Sequence, residues 1–235
     1  MYLRSNIIAL LVLLFVPAVP LSTQDTIRAE IVVDDFEDDE DGKVPGKWKF
    51  LDFRQERYLP LEATMRERER FFVVNEKGNN FLRAYTHGEA HRITLPASDV
   101  GWNLKTHPYL QWRWRALRLP AGAREDRVND SGGAIYVSFA RRDWLGRPYS
   151  IKYVYSTTLP VGTIVSHGNV KVIVASSGID GTGKWQRVTR DVVADFKKVF
   201  DDKVPDKPFS ITLWSDSDNT GDIAEVDFDD ILIKQ

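Results

Sequence analysis

The heptapeptide Leu110-Gln111-Trp112-Arg113-Trp114-Arg115-Ala116 alternates apolar and polar residues without a break. In an extended strand successive side chains point to opposite faces, so Leu110, Trp112, Trp114 and Ala116 share one surface and Gln111, Arg113 and Arg115 the other. No helix accommodates that period. The same two-residue pattern recurs over 31–36, 71–75, 81–86, 134–140, 149–156, 170–176, 185–192, 209–216 and 223–233. Turn-forming stretches separate these segments: Lys77–Asn80, Ser131-Gly132-Gly133, Leu145–Pro148, Gly178–Gly183 and Ser217–Gly221. Many short strands at near-regular spacing predict an all-β protein, a single-domain jelly-roll β-sandwich. One short helix is expected over 193–200, where Val193, Phe196 and Phe200 fall on one face and Pro205 and Pro208 follow.

The first 22 residues stand apart from this pattern. One base, Arg4, precedes the unbroken apolar run Ile7–Val16, and Pro17 and Pro20 end it. The run is shorter than the roughly 20 residues a membrane span needs, so 1–22 reads as a secretory signal peptide and 23–235 as the folded domain. Val-Pro-Leu is a poor cleavage context, and an uncleaved anchor is the competing reading. No second such run follows, so the processed chain is not expected to be an integral membrane protein. Export to the periplasm of a Gram-negative bacterium, or secretion, is the expected location. The chain has no cysteine, which excludes disulfides, thiolate zinc sites and iron–sulfur clusters.

Charge narrows the function classes. Lys and Arg total 32 against 34 Asp and Glu, so no global field favours nucleic acid. The charges are segregated, however. Eight acids and no base lie in 30–41, and seven acids and no base in 215–230. If the first and last strands are neighbours, Asp35, Glu37 and Asp229 could share a hard cation such as Ca2+. The loop Asp216-Ser217-Asp218-Asn219-Thr220-Gly221-Asp222 also begins like an EF-hand calcium loop, with Asp227 at position 12. Its candidate ligands are Asp216, Asp218, Thr220, Asp222 and Asp227. The competing reading of each acidic run is a solvated loop whose Asp and Asn residues bond their own backbone.

Other motifs are weaker. Gly178–Lys184 has the spacing of a phosphate-binding loop, but Trp185 stands where Ser or Thr would hold Mg2+ and a strand follows instead of a helix, so no nucleotide is expected. Glu225, Asp227 and Asp229 alternate on the last strand, and Glu225 with Asp227 is the candidate catalytic pair of a glycoside hydrolase or lyase. His87, His91, His107 and His167 have no helical metal spacing, and no Gly-x-Ser-x-Gly elbow occurs.

If Phe209, Ile211 and Leu213 are buried, Thr212 and Trp214 face outward; if Ile135, Val137 and Phe139 are buried, so does Tyr136. Together with Arg113 and Arg115 they form a candidate ligand face able to stack on and hydrogen-bond a sugar chain. The competing reading is a second layer of structure covering that face.

The stretches PYLQWRWRALRLPAG, NDSGGAIYVSFA, IKYVYS, GKWQRVTRDVVADFKKVF and ITLWSDSDNTGDIAEVDFDDILI, in that order, resemble a family of exported bacterial proteins known as domain of unknown function 3047. The resemblance covers residues 31 to 234. Its most specific parts are Trp112–Arg115, the Trp185…Arg190-Asp191…Asp195-Phe196 segment, and Asp216-x-Asp218-Asn219-Thr220-Gly221. The chain departs from the pattern at Ser131-Gly132, where the family is more acidic, and at Asp201, where Gly is usual. The resemblance implies a periplasmic β-sandwich and supplies no activity. DDFE…PGKWKF near the start and VDFDDILI at the end also resemble the first and last strands of jelly-roll carbohydrate-binding modules. Three functions follow: a non-catalytic binder of a glycan or envelope polymer, a hydrolase or lyase using Glu225 and Asp227, and a structural envelope protein without a small ligand.

Overall fold

A computed structural model describes residues 29–52, 57–65, 70–142, 147–178 and 181–235. The predicted signal peptide and Ile179-Asp180 of the Gly178–Lys184 loop lie outside the described residues. Fourteen described strands form two stacked sheets. The six-stranded sheet runs β12 (Gln186–Asp191), β7 (Tyr109–Arg118), β14 (Ile223–Lys234), β5 (Asn79–His87), β4 (Phe71–Glu76), with β1 (Glu30–Asp34) on the far half of β14. The eight-stranded sheet runs β10 (Ile164–His167), β11 (Val170–Ser177), β9 (Pro148–Ser156), β8 (Ser131–Arg142), β13 (Pro208–Asp216), β6 (Ala90–Pro96), β2 (Lys49–Asp52), β3 (Arg57–Pro60). Of the described pairings only β9–β11 is parallel. No described helix is long and apolar enough to cross a membrane.

All ten expected strands are present, and the fold is the expected all-β sandwich with one short helix. Four strands escape the two-residue pattern. β2, β3 and β10 have four residues each, too few to establish a period. In β6, Ile93 to Pro96 are buried on both faces, so polarity does not alternate. Ser131-Gly132-Gly133, expected as a turn, instead opens β8. A Cβ on Gly133 would stand 2.9 Å from the side chains of Val226 and Phe228 on the opposing sheet, so glycine here permits close sheet contact.

The alternation in β7 places Leu110, Trp112, Trp114 and Ala116 wholly inside the sandwich. Trp112 and Trp114 pack edge to face at 5.2 Å, and they meet Tyr153 and Tyr155 of β9 across the core at 5.6 and 5.4 Å. Each such pair adds about 0.5–1.5 kcal/mol beyond its buried area. Trp114 satisfies its indole N–H by donating to Ser176 Oγ.

The helix, α1, spans Val192–Phe200, one residue earlier than expected at its start. Asp191 caps it by accepting from the Ala194 N–H at 2.8 Å. Asp201, where the resemblance leads one to expect glycine, closes it in the left-handed conformation that glycine adopts most easily. Phe196 packs on Phe139 and Phe200 stacks on Tyr149, holding α1 over one end of the eight-stranded sheet.

Candidate functional site

The fold separates the five predicted ligand residues. Arg113 and Arg115 lie on β7 in the six-stranded sheet, whereas Tyr136, Thr212 and Trp214 lie on β8 and β13 in the other. All five point away from the core, but from opposite sides of the sandwich. Alternation tells inside from outside along a strand; it carries no information about which sheet the strand joins.

On the six-stranded side the guanidiniums are committed to partners. β14 lies between β5 and β7, placing Asp227 between Arg83 and Arg115 and opposing Asp229 to Arg113. Asp227 is fully buried and accepts from Arg83 Nε and Nη2 at 2.7 and 3.1 Å and from Arg115 Nε and Nη2 at 2.9 and 2.7 Å. Asp229 accepts from Arg113 Nη2 at 2.6 Å and from Asn79. Trp185 and Phe81 pack edge to face and lie against these guanidiniums, with Arg115 4.8 Å from the Trp185 ring.

This ladder corrects the catalytic expectation. Asp227 has no open side for a substrate, and Glu225 lies within ion-pair distance of Arg83 and Arg118. The Asp35, Glu37 and Asp229 cation set is likewise not assembled. Asp229 is neutralised by Arg113, Glu37 accepts from the Asn80 N–H, and Asp35 accepts from the Glu37 N–H within its own turn.

The eight-stranded side presents a groove of about 320 Å³. The register aligns Thr94, Thr212, Tyr136 and Lys152 across four strands, with Trp214 one row away. Trp214 and Tyr136 form the aromatic floor, their rings 5.5 Å apart and inclined at 45°. Ser138, Ser150, Ser210 and Thr212 extend it as a strip of hydroxyls, and Arg92, Arg147, His167, Asn169 and Phe209 form the rim. The Arg92 guanidinium lies 5.2 Å from the Trp214 ring. Sequence reasoning missed Arg92 and His167 because their strands, β6 and β10, were not recognised.

Beside the groove the sheet is covered. Leu159 packs with Ala134, Val154, Val172 and Val174 in a second, small apolar cluster. The segment after β9 is tied to the loop before β8 by Thr157 and Thr158 hydroxyls donating to the Pro120 and Ala123 carbonyls. Under this cover lie buried charged residues. Glu125 Oε2 accepts from Ser156 Oγ at 2.6 Å, and Lys152 is almost wholly enclosed, its Nζ 5.6 Å from the Tyr136 ring. Burial raises the Glu125 carboxyl above its ordinary range, against the hydrogen bond from Ser156. Burial, helped by Asp130 and Asp218, pushes the Asp216 carboxyl up to about 6, with Lys152 pulling the other way.

The acidic loop is assembled only in part. One carboxylate oxygen each from Asp130, Asp216 and Asp218 comes within 4.8 Å of the others. Asp130 escaped sequence reasoning because it enters through the β8–β13 pairing, 86 positions before Asp216. Thr220, Asp222 and Asp227, expected in the same set, are engaged elsewhere. Thr220 Oγ1 donates to the Ser217 carbonyl, Asp222 accepts from the Ala121 and Ile223 N–H groups, and Asp227 holds the two arginines. Flanking strands, in place of the two helices of an EF-hand, carry positions 7 and 12 away from the loop.

Comparison with known proteins gives two kinds of result. Among solved structures the chain is similar to the family 30 carbohydrate-binding module of cellulosomal cellulase Cel9D-Cel44B of Clostridium thermocellum, at 15% identity and a TM-score of 0.39, over 73% of this chain and 85% of that one. It is also similar to the CBM22-1 xylan-binding domain of Paenibacillus barcinonensis Xyn10C, at 16% identity and a TM-score of 0.36, over 87% and 91% of the two chains. No curated protein matches it in sequence. Residues 57–232 match the family described as protein of unknown function DUF3047, and the chain belongs to that family.

Proposed function

We propose that this chain is an exported, non-catalytic protein that binds a glycan or envelope polymer along the groove over Tyr136 and Trp214. The observation that carries this reading is the inclined aromatic pair on the floor of an open groove, bordered by hydroxyl and amide side chains. Sugar rings offer C–H faces to aromatic surfaces and hydroxyls that both donate and accept, and the groove supplies partners for both. The charged start and short apolar run of residues 1–22 support export.

A structural envelope protein without a small ligand is the second reading. The pairing of Arg113 and Arg115 with Asp229, Asp227 and Glu76 favours it for the six-stranded face. Intrinsic tryptophan emission, titrated with a panel of soluble envelope and plant polysaccharides, separates the two. Binding by at least one polysaccharide is expected, with Trp214→Ala weakening it at least tenfold, about 1.4 kcal/mol, and Arg113→Met leaving it unchanged. If no polysaccharide in the panel binds, or if Trp214→Ala retains full affinity, the groove reading fails and the structural one stands.

A further inference from the structure

We propose that Asp130, Asp216 and Asp218 form a site for a hard divalent cation, Ca2+ foremost, joining the loop that enters β8 to the turn that leaves β13. The three carboxylate oxygens lie within 4.8 Å of one another. Three oxygens spread evenly at 2.3–2.6 Å around one Ca2+ stand about 4.0–4.5 Å apart, so an ion draws in this set with a shift of a few tenths of an ångström at most. Oxygen-only ligands on two separate chain segments suit Ca2+, which tolerates irregular geometry, better than Zn2+, which prefers nitrogen and sulfur.

Proximity of acids alone would carry little weight. The independent observation is a pair of orphaned oxygens. Asp216 is only 5% exposed, and apart from the Trp214 side chain, which stabilises its charged form, its Oδ1 has no hydrogen-bonding partner. Ser131, fully buried and opposite Asp216 in the β8–β13 register, has a hydroxyl without a partner as well. Buried polar atoms are nearly always satisfied, and a bound ion is one of the few explanations for an exception. Asp130 is held ready by the Asn219 and Thr220 N–H groups, at 3.2 and 2.7 Å, each leaving its oxygen a further lone pair. Lys152 is the positive side chain felt by Asp216, and that one ammonium is outnumbered by the three carboxylates of the cluster.

The test uses the full chain, stripped with EDTA and dialysed. Tb3+ bound here is excitable through Trp214, two residues from Asp216, so titration is expected to give saturable luminescence that CaCl2 displaces. CaCl2 is also expected to raise the melting temperature, because it binds only the folded state. Asp218 is exposed, so Asp218→Asn should fold normally while lowering Ca2+ affinity at least about tenfold, since ligand charge sets the affinity of such sites. Asp38→Asn, in the exposed N-terminal acidic run, should leave affinity unchanged. A melt indifferent to CaCl2 without saturable luminescence, an unchanged affinity in Asp218→Asn, or an equal loss in Asp38→Asn would overturn the site.

Discussion

Removing the carboxylate of Asp227 tests whether the six-stranded face is a self-contained charge ladder. Asp227→Ala leaves the Arg83 and Arg115 side chains, 21% and 12% exposed, without their shared buried acceptor. Breaking a buried pair on one side costs about 3–5 kcal/mol, whereas a surface pair contributes at most about 1. Each arginine keeps a second acid, Glu225 at 3.5 Å for Arg83 and Glu76 at 3.0 Å for Arg115, so the lower end applies, about 3 kcal/mol. With a urea slope of about 2 kcal/mol/M, the unfolding midpoint should fall by about 1.5 M at unchanged slope. A further arm isolates the cause. Replacing Arg83, Asp227 and Arg115 together by leucine removes the charges along with their partner and should recover most of the loss. A fall below about 0.5 M in Asp227→Ala would refute the reasoning, because it would mean that water reaches the guanidiniums and stands in for the carboxylate.

Two further outcomes follow from local geometry. Asp191→Ala deletes the acceptor for the Ala194 N–H and should cost about 1 kcal/mol, a melting shift of about 2–4 °C by calorimetry for a chain of this size. Glu125 is held above its ordinary carboxyl range by burial, so the folded state binds its proton more tightly than the unfolded state does. Its contribution to stability is therefore lost as pH rises from the unfolded value through the raised folded one. Lys152 and Asp126 are the charged groups that also act on it. Glu125→Gln, which can still accept from Ser156, should match the wild type in acid and gain on it towards neutral pH; urea midpoints that keep a constant offset across that range would contradict this.

The legible part of the sequence is the part governed by local rules. The β7 alternation, the phase of Ile211 and Leu213 and the short helix each depend on neighbours along the chain and took their expected form, whereas Phe209, expected to be buried in phase with them, is exposed beside a register shift at Pro208–Ser210. What failed depends on pairing. Arg113 and Trp214 were correctly read as outward but wrongly placed on one surface, since sheet membership is decided by contacts between distant strands. Asp130 was invisible for the same reason, and Asp227 looked like chemistry because the two arginines that bind it lie 144 and 112 positions away.

The two outer faces, built by the same alternation, reach opposite electrostatic ends. On the six-stranded side, the carboxylates Asp227 and Asp229 of β14 meet guanidiniums from the neighbouring strands, and Trp185 and Phe81 pack against those arginines. A ligand there would have to break charge-assisted bonds before making any of its own. Around the outer face of the eight-stranded side, Ser131 Oγ and Glu125 Oε1 are buried without a hydrogen-bond partner, while Trp214 pairs with Asp216 and Lys152 with Tyr136. Each unpartnered atom is costly to leave so; on the six-stranded side Arg113 Nε also lacks a hydrogen bond but lies 2.8 Å from Asp230 Oδ2, so the folded chain satisfies that side more nearly. A polar ligand arriving here meets neutral hydroxyl pairs in place of charge-assisted ones, and that asymmetry is the physical reason for assigning both proposed sites to one sheet.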